Sequence, residues 1–439
     1  MNYVSTRNEA SPTGLAEALR AGLAPDGGLY VPESLPALAV DDLAGCADLP
    51  TTAMRALAPF FAGSELENEL TPICREALDL PLPVTGIDGG QSWMLELFHG
   101  PTAAFKDFAA RFLATCLARL RGDDDPVQTV IVATSGDTGA AVAAAFHRRP
   151  GFRVVILYPQ GRVSARQAHQ LGCFGDNVTT YRVQGDFDDC QRLAKQALND
   201  RELIDRLALT SANSISIGRL LPQISYYVHA VAGLYRQIEQ LIDIIVPTGN
   251  LGNALAAILA RDMGLPIGTV HLATNANRTL PDYFSGTDYE GRPGLKTLAN
   301  AMDVGDPSNF ERLAWFYRDR DPRNAGITAD SVDDDTIRRT IVRVHEHSGR
   351  IVCPHTACAM EVLDRQRASG NERPMLLAAT AHPAKFETVV EPLIGKTVPL
   401  PPALAELLGR PSHLEPIAAE FQALKKQLLT STPGNRRMR

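Results

Sequence analysis

Gln128-Thr129-Val130-Ile131-Val132-Ala133-Thr134-Ser135-Gly136-Asp137-Thr138-Gly139-Ala140 passes from a β-branched run through a Gly-rich turn into an Ala-rich segment. Ile244-Ile245-Val246-Pro247-Thr248-Gly249-Asn250-Leu251-Gly252-Asn253-Ala254-Leu255 repeats the same order. Strand, glycine turn and helix in succession form the building unit of an α/β fold with parallel strands. Such a turn presents free backbone N–H groups at a helix N-terminus, which is a ready anion site. Glycine permits close backbone approach, and Asn, Ser and Thr tolerate turn geometry while adding donors. The spacing Gly249-Asn250-Leu251-Gly252-Asn253 suits one phosphate group. It matches neither the dinucleotide fingerprint nor the P-loop, which argues against NAD and ATP. Either turn taken alone is also compatible with an ordinary strand-to-helix connection.

Outward from these two stretches the alternation continues. Residues 127–133, 153–158, 178–183, 243–246, 269–273 and 375–379 read as buried strands, predicting parallel sheets covered on both faces. Residues 1–90 mix short helices with Pro/Gly-rich turns such as Ala24-Pro25-Asp26-Gly27-Gly28 and form a separate unit. Residues 401–439 begin with a helical pattern, and Thr430-Ser431-Thr432-Pro433-Gly434-Asn435-Arg436-Arg437 is expected to fray.

Between the N-terminal unit and the first turn lies Trp93-Met94-Leu95-Glu96-Leu97-Phe98-His99-Gly100-Pro101-Thr102-Ala103-Ala104-Phe105-Lys106-Asp107-Phe108. An apolar run breaks at Gly-Pro and restarts around a lysine wedged between two phenylalanines. Phe108, Phe112, Leu113 and Leu117 then recur at helical spacing, which puts Lys106 in the first turn. A cation there opposes the positive end of the helix dipole, and burial among aromatics also favours the neutral amine. A neutral amine is what Schiff-base chemistry requires. A lysine laying its stem over apolar surface is the alternative.

A chain of 439 residues, 45% hydrophobic, exceeds one core and implies two or three packed units. The net charge of -7 gives no electrostatic footprint for nucleic acid. Seven scattered cysteines with no CxxC or Cys/His ligand spacing point to reduced thiols, no metal and a cytoplasmic location. No apolar leader or membrane-length apolar run is visible.

Eight segments, taken together and in order, resemble the threonine synthases. They are Tyr3-Val4-Ser5-Thr6-Arg7, Gly22-Leu23-Ala24-Pro25-Asp26-Gly27-Gly28-Leu29-Tyr30-Val31-Pro32, the lysine segment, residues 135–139, Ser211-Ala212-Asn213-Ser214-Ile215, Arg219-Leu220-Leu221-Pro222-Gln223, residues 249–253 and Thr380-Ala381-His382-Pro383-Ala384-Lys385-Phe386. The resemblance is to the longer, yeast-like and enterobacterial-like branch of that family of pyridoxal-phosphate enzymes, of fold type II (tryptophan-synthase-β-like). It spans essentially the whole chain.

The resemblance implies two α/β domains with parallel sheets plus an N-terminal cap: cap 1–90, large domain 91–122 and 223–400, small inserted domain 123–222, and a helical tail 401–439. It implies pyridoxal 5'-phosphate as cofactor, with Lys106 as its covalent anchor and later proton shuttle. Gly249, Asn250, Leu251 and Asn253 would hold the cofactor phosphate, and Thr380 would hydrogen-bond the pyridine nitrogen. Thr380 as a helix cap before His382-Pro383 is the alternative. Ser135, Asp137 and Thr138 would lie at the substrate carboxylate, Asp137 orienting the loop or meeting an amine. Asn213 and Ser214 would hold the substrate's distal phosphate. Arg219 and Lys385 are candidate cations there or salt-bridge residues, and His99, His355 and His382 read as structural.

The implied reaction converts O-phospho-L-homoserine and water to L-threonine and phosphate, with no nucleic-acid or membrane partner, by a monomer or homodimer. A phospholyase releasing 2-oxobutyrate and ammonia is the rival, and a catalytically silent binding protein is a third reading. The chain departs from the family pattern at Ser216-Ile217-Gly218, where Asn-Trp-Ala is usual, at Leu251 for Phe, and at Cys353 for Asp.

Overall fold

The computed structural model describes residues 1–430. Thr430 closes the helix Phe421–Thr430, and residues 431–437 of the stretch expected to fray lie outside the described residues.

Thirteen strands are present among the described residues: β1 (Tyr3–Ser5), β2 (Tyr30–Pro32), β3 (Val84–Gly86), β4 (Ser92–Glu96), β5 (Gln128–Ala133), β6 (Phe152–Pro159), β7 (Val178–Gln184), β8 (Leu209–Ser211), β9 (Ile242–Pro247), β10 (Ile267–Thr274), β11 (Ile327–Ser331), β12 (Met375–Ala379) and β13 (Glu415–Ala418). Two sheets dominate. The larger has the order β11-β10-β9-β12-β4-β3, parallel except for the edge strand β3, and the smaller β13-β7-β6-β5-β8 is parallel throughout. The six strands expected from sequence are β5, β6, β7, β9, β10 and β12, each within two residues at either end.

Period-2 alternation explains why these strands are apolar on both sides. In the small sheet Val130, Val132, Val154 and Ile156 face the main core, while Ile131, Ala133, Val155 and Leu157 face a second core under the helices Phe187–Asn199 and Arg201–Leu207. In the large sheet Ile244, Val246 and Leu376 join the main core, and Ile245 and Leu377 pack against the helix Pro354–Ala368.

The N-terminal helices Leu15–Ala21, Leu49–Phe61 and Leu70–Leu78 share the main core with the helices Lys106–Arg119 and Ile217–Ile238. Phe61 meets Phe112 edge to face at 5.9 Å. In the divergent segment 216–218 Ser216 and Ile217 are buried, and a Cβ at Gly218 would lie 2.5 Å from a side-chain methyl of Leu19 and 2.7 Å from one of Leu113, so the usual Ala would require those two side chains to shift.

The tail departs from expectation. Residues 401–430 contain β13 as well as helices, and β13 extends the small sheet beyond β7. Only Ile417 of its Glu-Pro-Ile-Ala is buried, so the strand carries no apolar alternation to read.

Candidate active site

β9, β12 and β4 are neighbours in the large sheet and run parallel, so the segments leaving their C-terminal ends emerge side by side. Those segments are the 248–253 turn, Thr380 and the loop to Lys106. In the small sheet the parallel neighbours β5 and β8 deliver 134–139 and 212–214 in the same way. Ligands of open parallel sheets sit at such strand ends. One cavity of about 530 Å³ is lined by Lys106, Ser135, Asp137, Thr138, Asn213, Ser214, Gly249, Asn250, Leu251, Asn253 and Thr380. Every residue expected to hold cofactor or substrate is among them, and of the two candidate cations Arg219 lines the cavity while Lys385 does not.

Lys106 is the first residue of its helix. The preceding loop is zipped to the strand-β12 exit: Phe105 N–H donates to the Thr380 carbonyl at 2.8 Å and His382 N–H to the Ala103 carbonyl at 3.0 Å. Asp107 locks the other side by accepting from Thr102 N–H at 2.8 Å and Thr102 Oγ1 at 2.6 Å. Burial pushes the Lys106 amine down to about 8, the Lys385 and Arg219 charges add to this, and Asp137 opposes it. The helix-cap role for Thr380 is excluded, because His382 caps the 383–386 turn by accepting from Ala384 N–H.

The 249–253 turn precedes the first helical hydrogen bond, which Leu255 N–H makes to the Leu251 carbonyl. Its amides are therefore the orphan donors of a helix N-terminus. Leu251 adopts φ 63°, the left-handed geometry that turns these N–H groups together. A Cβ on Gly249 would lie 2.6 Å from the Met302 Cα, so the cradle tolerates no side chain there. Asn253 accepts from the hydroxyls of Tyr226 at 2.6 Å and Tyr227 at 2.9 Å, which leaves its buried Nδ2 without an acceptor. That donor set fits a phosphate group, and the cavity volume fits a small cofactor.

On the facing sheet Thr134 Oγ1 accepts from Gly136 N–H at 3.0 Å and Gly139 N–H at 2.8 Å, shaping the 134–139 turn. Asp137 is spoken for. Its Oδ1 lies 2.8 Å from Lys385 Nζ and 2.9 Å from Gln167 Nε2. Burial would raise this carboxyl, but the charges of Lys385 and Lys106 outweigh that and hold it far below the usual carboxylate range. Ser214 Oγ accepts from Asn250 Nδ2 at 2.7 Å, tying the 211–215 segment to the phosphate turn, and Asn213 Oδ1 is buried without a partner. Arg219 is buried in the cavity wall and donates to the Ala212 carbonyl at 2.6 Å.

Sequence reasoning missed Gln223 and the 301–308 wall, which includes Met302 and Ser308. It placed His355 among structural residues, yet His355 lines the cavity, its Nε2 accepting from Ala301 N–H at 3.1 Å. His99 and His382 do not line it. Burial pushes His355 and His382 each down to about 4, so both are neutral in the folded protein. Unfolded histidines titrate near 6.5. The folded chain thus binds fewer protons between about pH 6.5 and 4, and the stability contributed above that window is lost as pH falls through it. His355→Gln keeps an acceptor for Ala301 N–H, and should reduce the acid-side slope of denaturation midpoint against pH by about one proton. An unchanged slope would contradict a neutral His355.

Comparison with known proteins fits this geometry. Residues 82–380 match the family described as "Pyridoxal-phosphate dependent enzyme", and residues 2–78 and 356–428 match the N-terminal and C-terminal regions of threonine synthase. The chain is 40% identical to the threonine synthase of Serratia marcescens over 98% of this chain and 99% of that one. The chain belongs to the threonine synthase family. Its architecture agrees, superposing on the crystal structure of Escherichia coli threonine synthase with a TM-score of 0.91 at 37% identity, covering 98% of this chain and 100% of the other. A pyridoxal-phosphate-bound threonine synthase from Brucella melitensis gives 0.88 at 35% identity, with 98% of both chains covered. This α/β fold with parallel sheets is therefore the fold type II architecture of the pyridoxal-phosphate family, and Lys106, the 249–253 turn and Thr380 all fall inside the family's matched span. Among the described residues no helix is long and apolar enough to cross a membrane, and no group of His, Cys, Asp and Glu is arranged to hold a metal.

Proposed function

We propose that this cavity converts O-phospho-L-homoserine and water to L-threonine and phosphate by γ-elimination and addition of water at Cβ. The observation that carries the reading is the meeting, in one cavity, of an amine held near neutrality, a phosphate cradle and a second turn of donors on the opposite sheet. Pyridoxal phosphate, when bound, supplies an electron sink for charge developing at the substrate's Cα. Lys106 is its covalent anchor and, once displaced by substrate, takes the Cα proton and then a Cβ proton at Nζ. Gly249, Asn250, Leu251 and Asn253 would hold the cofactor phosphate, and the Thr380 hydroxyl would hydrogen-bond the pyridine nitrogen. A hydroxyl there cannot enforce a charged ring as a carboxylate would.

Ser135 and Thr138 receive the substrate carboxylate on the 134–139 turn. Asp137 orients that turn through Lys385 and Gln167. Asn213 and Ser214 hold the phosphate that departs from Cγ, with Arg219 behind them. Lys106 Nζ then gives one proton to Cγ, which becomes the methyl group, water adds its hydroxyl at Cβ and yields its proton to the released phosphate, and Nζ returns the second proton to Cα. We divide the chain into the cap 1–90, the large domain 91–122 and 223–400, the small domain 123–222 and the tail 401–439. Closure of the small domain would keep bulk water out until elimination is complete. Seven free thiols suit a reducing cytoplasm, and the acidic net charge suits a monomer or homodimer that leaves nucleic acid alone.

Incubation with O-phosphohomoserine, with threonine, 2-oxobutyrate and phosphate all quantified, tests the reading. Threonine and phosphate are expected in equal amounts. Phosphate accompanied by 2-oxobutyrate in place of threonine would make the protein a phospholyase, and no phosphate at all would make it a silent homologue.

A further inference from the structure

One ion pair, with its carboxylate residue in the cavity wall and its lysine buried behind it, joins the two sheets. Asp137 begins the helix that follows β5, and Lys385 lies just beyond β12. Their charged atoms are 2.8 Å apart, and the side chains are 3% and 0% exposed. Lys385 cannot swing away. Its Nζ also donates to the Thr102 carbonyl at 2.8 Å, and its backbone carbonyl accepts from Ser164 Oγ at 2.8 Å. Thr102 is itself held by Asp107, the residue after Lys106.

Lys106 lines the same cavity as Asp137 and is the second cation whose charge acts on it. A buried carboxylate seeks whichever ammonium remains to it. With Lys385 absent, Asp137 would hold Lys106 as the charged ammonium, which can neither attack the cofactor nor accept a substrate proton. We infer that Lys385 is a positioning residue for the reaction: by occupying the Asp137 carboxylate it leaves the Lys106 amine free to act as nucleophile and base. The inference rests on the proposed role of Lys106. The other groups whose charges bear on this cluster are Arg219 and His355, which act with Lys106, Asp107, which acts on Arg219 and Lys385, His382, which feels the Lys385 charge, and the Cys353 thiol, which feels the Asp137 charge.

The test uses the full chain stripped of cofactor. Pyridoxal phosphate is added back across pH 6 to 10, the rate of attachment is followed by absorbance, and borohydride trapping with peptide mapping identifies the modified lysine. Wild type should attach at Lys106 with a midpoint near 8. Lys385→Met should raise the midpoint by one unit or more, slowing attachment at pH 7 about tenfold, because each unit reduces the neutral fraction tenfold. Lys385→Met combined with Asp137→Asn removes both charges, should fold without a buried unpaired carboxylate, and should bring the midpoint back to the wild-type value or below it, because Asp137 raises the amine more than Lys385 lowers it. An unmoved midpoint in the single variant, or an unrestored one in the double variant, overturns the inference while leaving the threonine synthase reading intact. Attachment of the wild type at another lysine overturns both.

Discussion

Lys106→Ala is expected to bind pyridoxal phosphate noncovalently and to lose threonine formation by a factor on the order of 10³ or more. Two losses combine in this variant: the covalent anchor, and the only amine expected to move protons at Cα and Cβ. The phosphate cradle is built by other residues, from backbone donors of 249–253 and the free Nδ2 of Asn253. Binding and chemistry therefore separate. Equilibrium dialysis should find cofactor on the variant, borohydride should fix none of it to the protein, and product assays should fall to background. Threonine formation near the wild-type rate would remove Lys106 from the mechanism.

Gly249→Val attacks the cradle instead. The added Cβ would approach the Met302 Cα at 2.6 Å and its carbonyl oxygen at 2.9 Å, both backbone atoms. That stretch of chain cannot yield easily, because Ala301 N–H is bound to His355 and Asn300 Nδ2 donates to Gln167 at 3.0 Å. The turn must move, and its amides lose their common focus. Each hydrogen bond to a charged group is worth about 1.5–3 kcal/mol, so losing two weakens the cofactor by about 100-fold or more. Dialysis or cofactor fluorescence measures this directly. Wild-type cofactor affinity in Gly249→Val would place the phosphate elsewhere.

Local sequence revealed the elements whose chemistry is local. β5, β6, β9 and β12 are dominated by β-branched or aliphatic residues because both faces of each sheet are covered, and such stretches announce themselves. The turns after them were legible for a related reason: parallel strands bring their C-terminal ends to one edge, so residues 249–253 and 380 meet at the edge of the large sheet, while the packing of the second sheet brings residues 134–139 to face them. What depended on distant partners was hidden. Asp137 read as orienting its loop or meeting an amine, but which amine could not be read, because Lys385 lies far along the chain. His355 looked structural because only the fold brings Ala301 N–H to its Nε2. The departures at 216–218 looked close to the substrate side, and the neighbours that a side chain at 218 would meet, Leu19 and Leu113, could be named only from the fold. Cys353 replaces the usual Asp and still caps its helix, its sulfur accepting from Thr356 N–H at 3.5 Å.

Strand β13 also bears on how the chain is made. A ribosome releases residues in order, and β7 emerges long before the segment at 415–418 that pairs with it. Throughout synthesis of everything between Gln184 and Glu415, the nascent small sheet carries an open edge at β7. The underside of that sheet, with Tyr181, Val183 and Leu193, also waits for Ile417, Leu424 and Leu428. Unpaired edges and bare apolar faces are what chaperones recognise and what aggregates grow from. The final thirty described residues are thus the last to arrive and the ones that seal the structure, so a stop codon near position 400 should cost solubility even though it spares every residue lining the cavity.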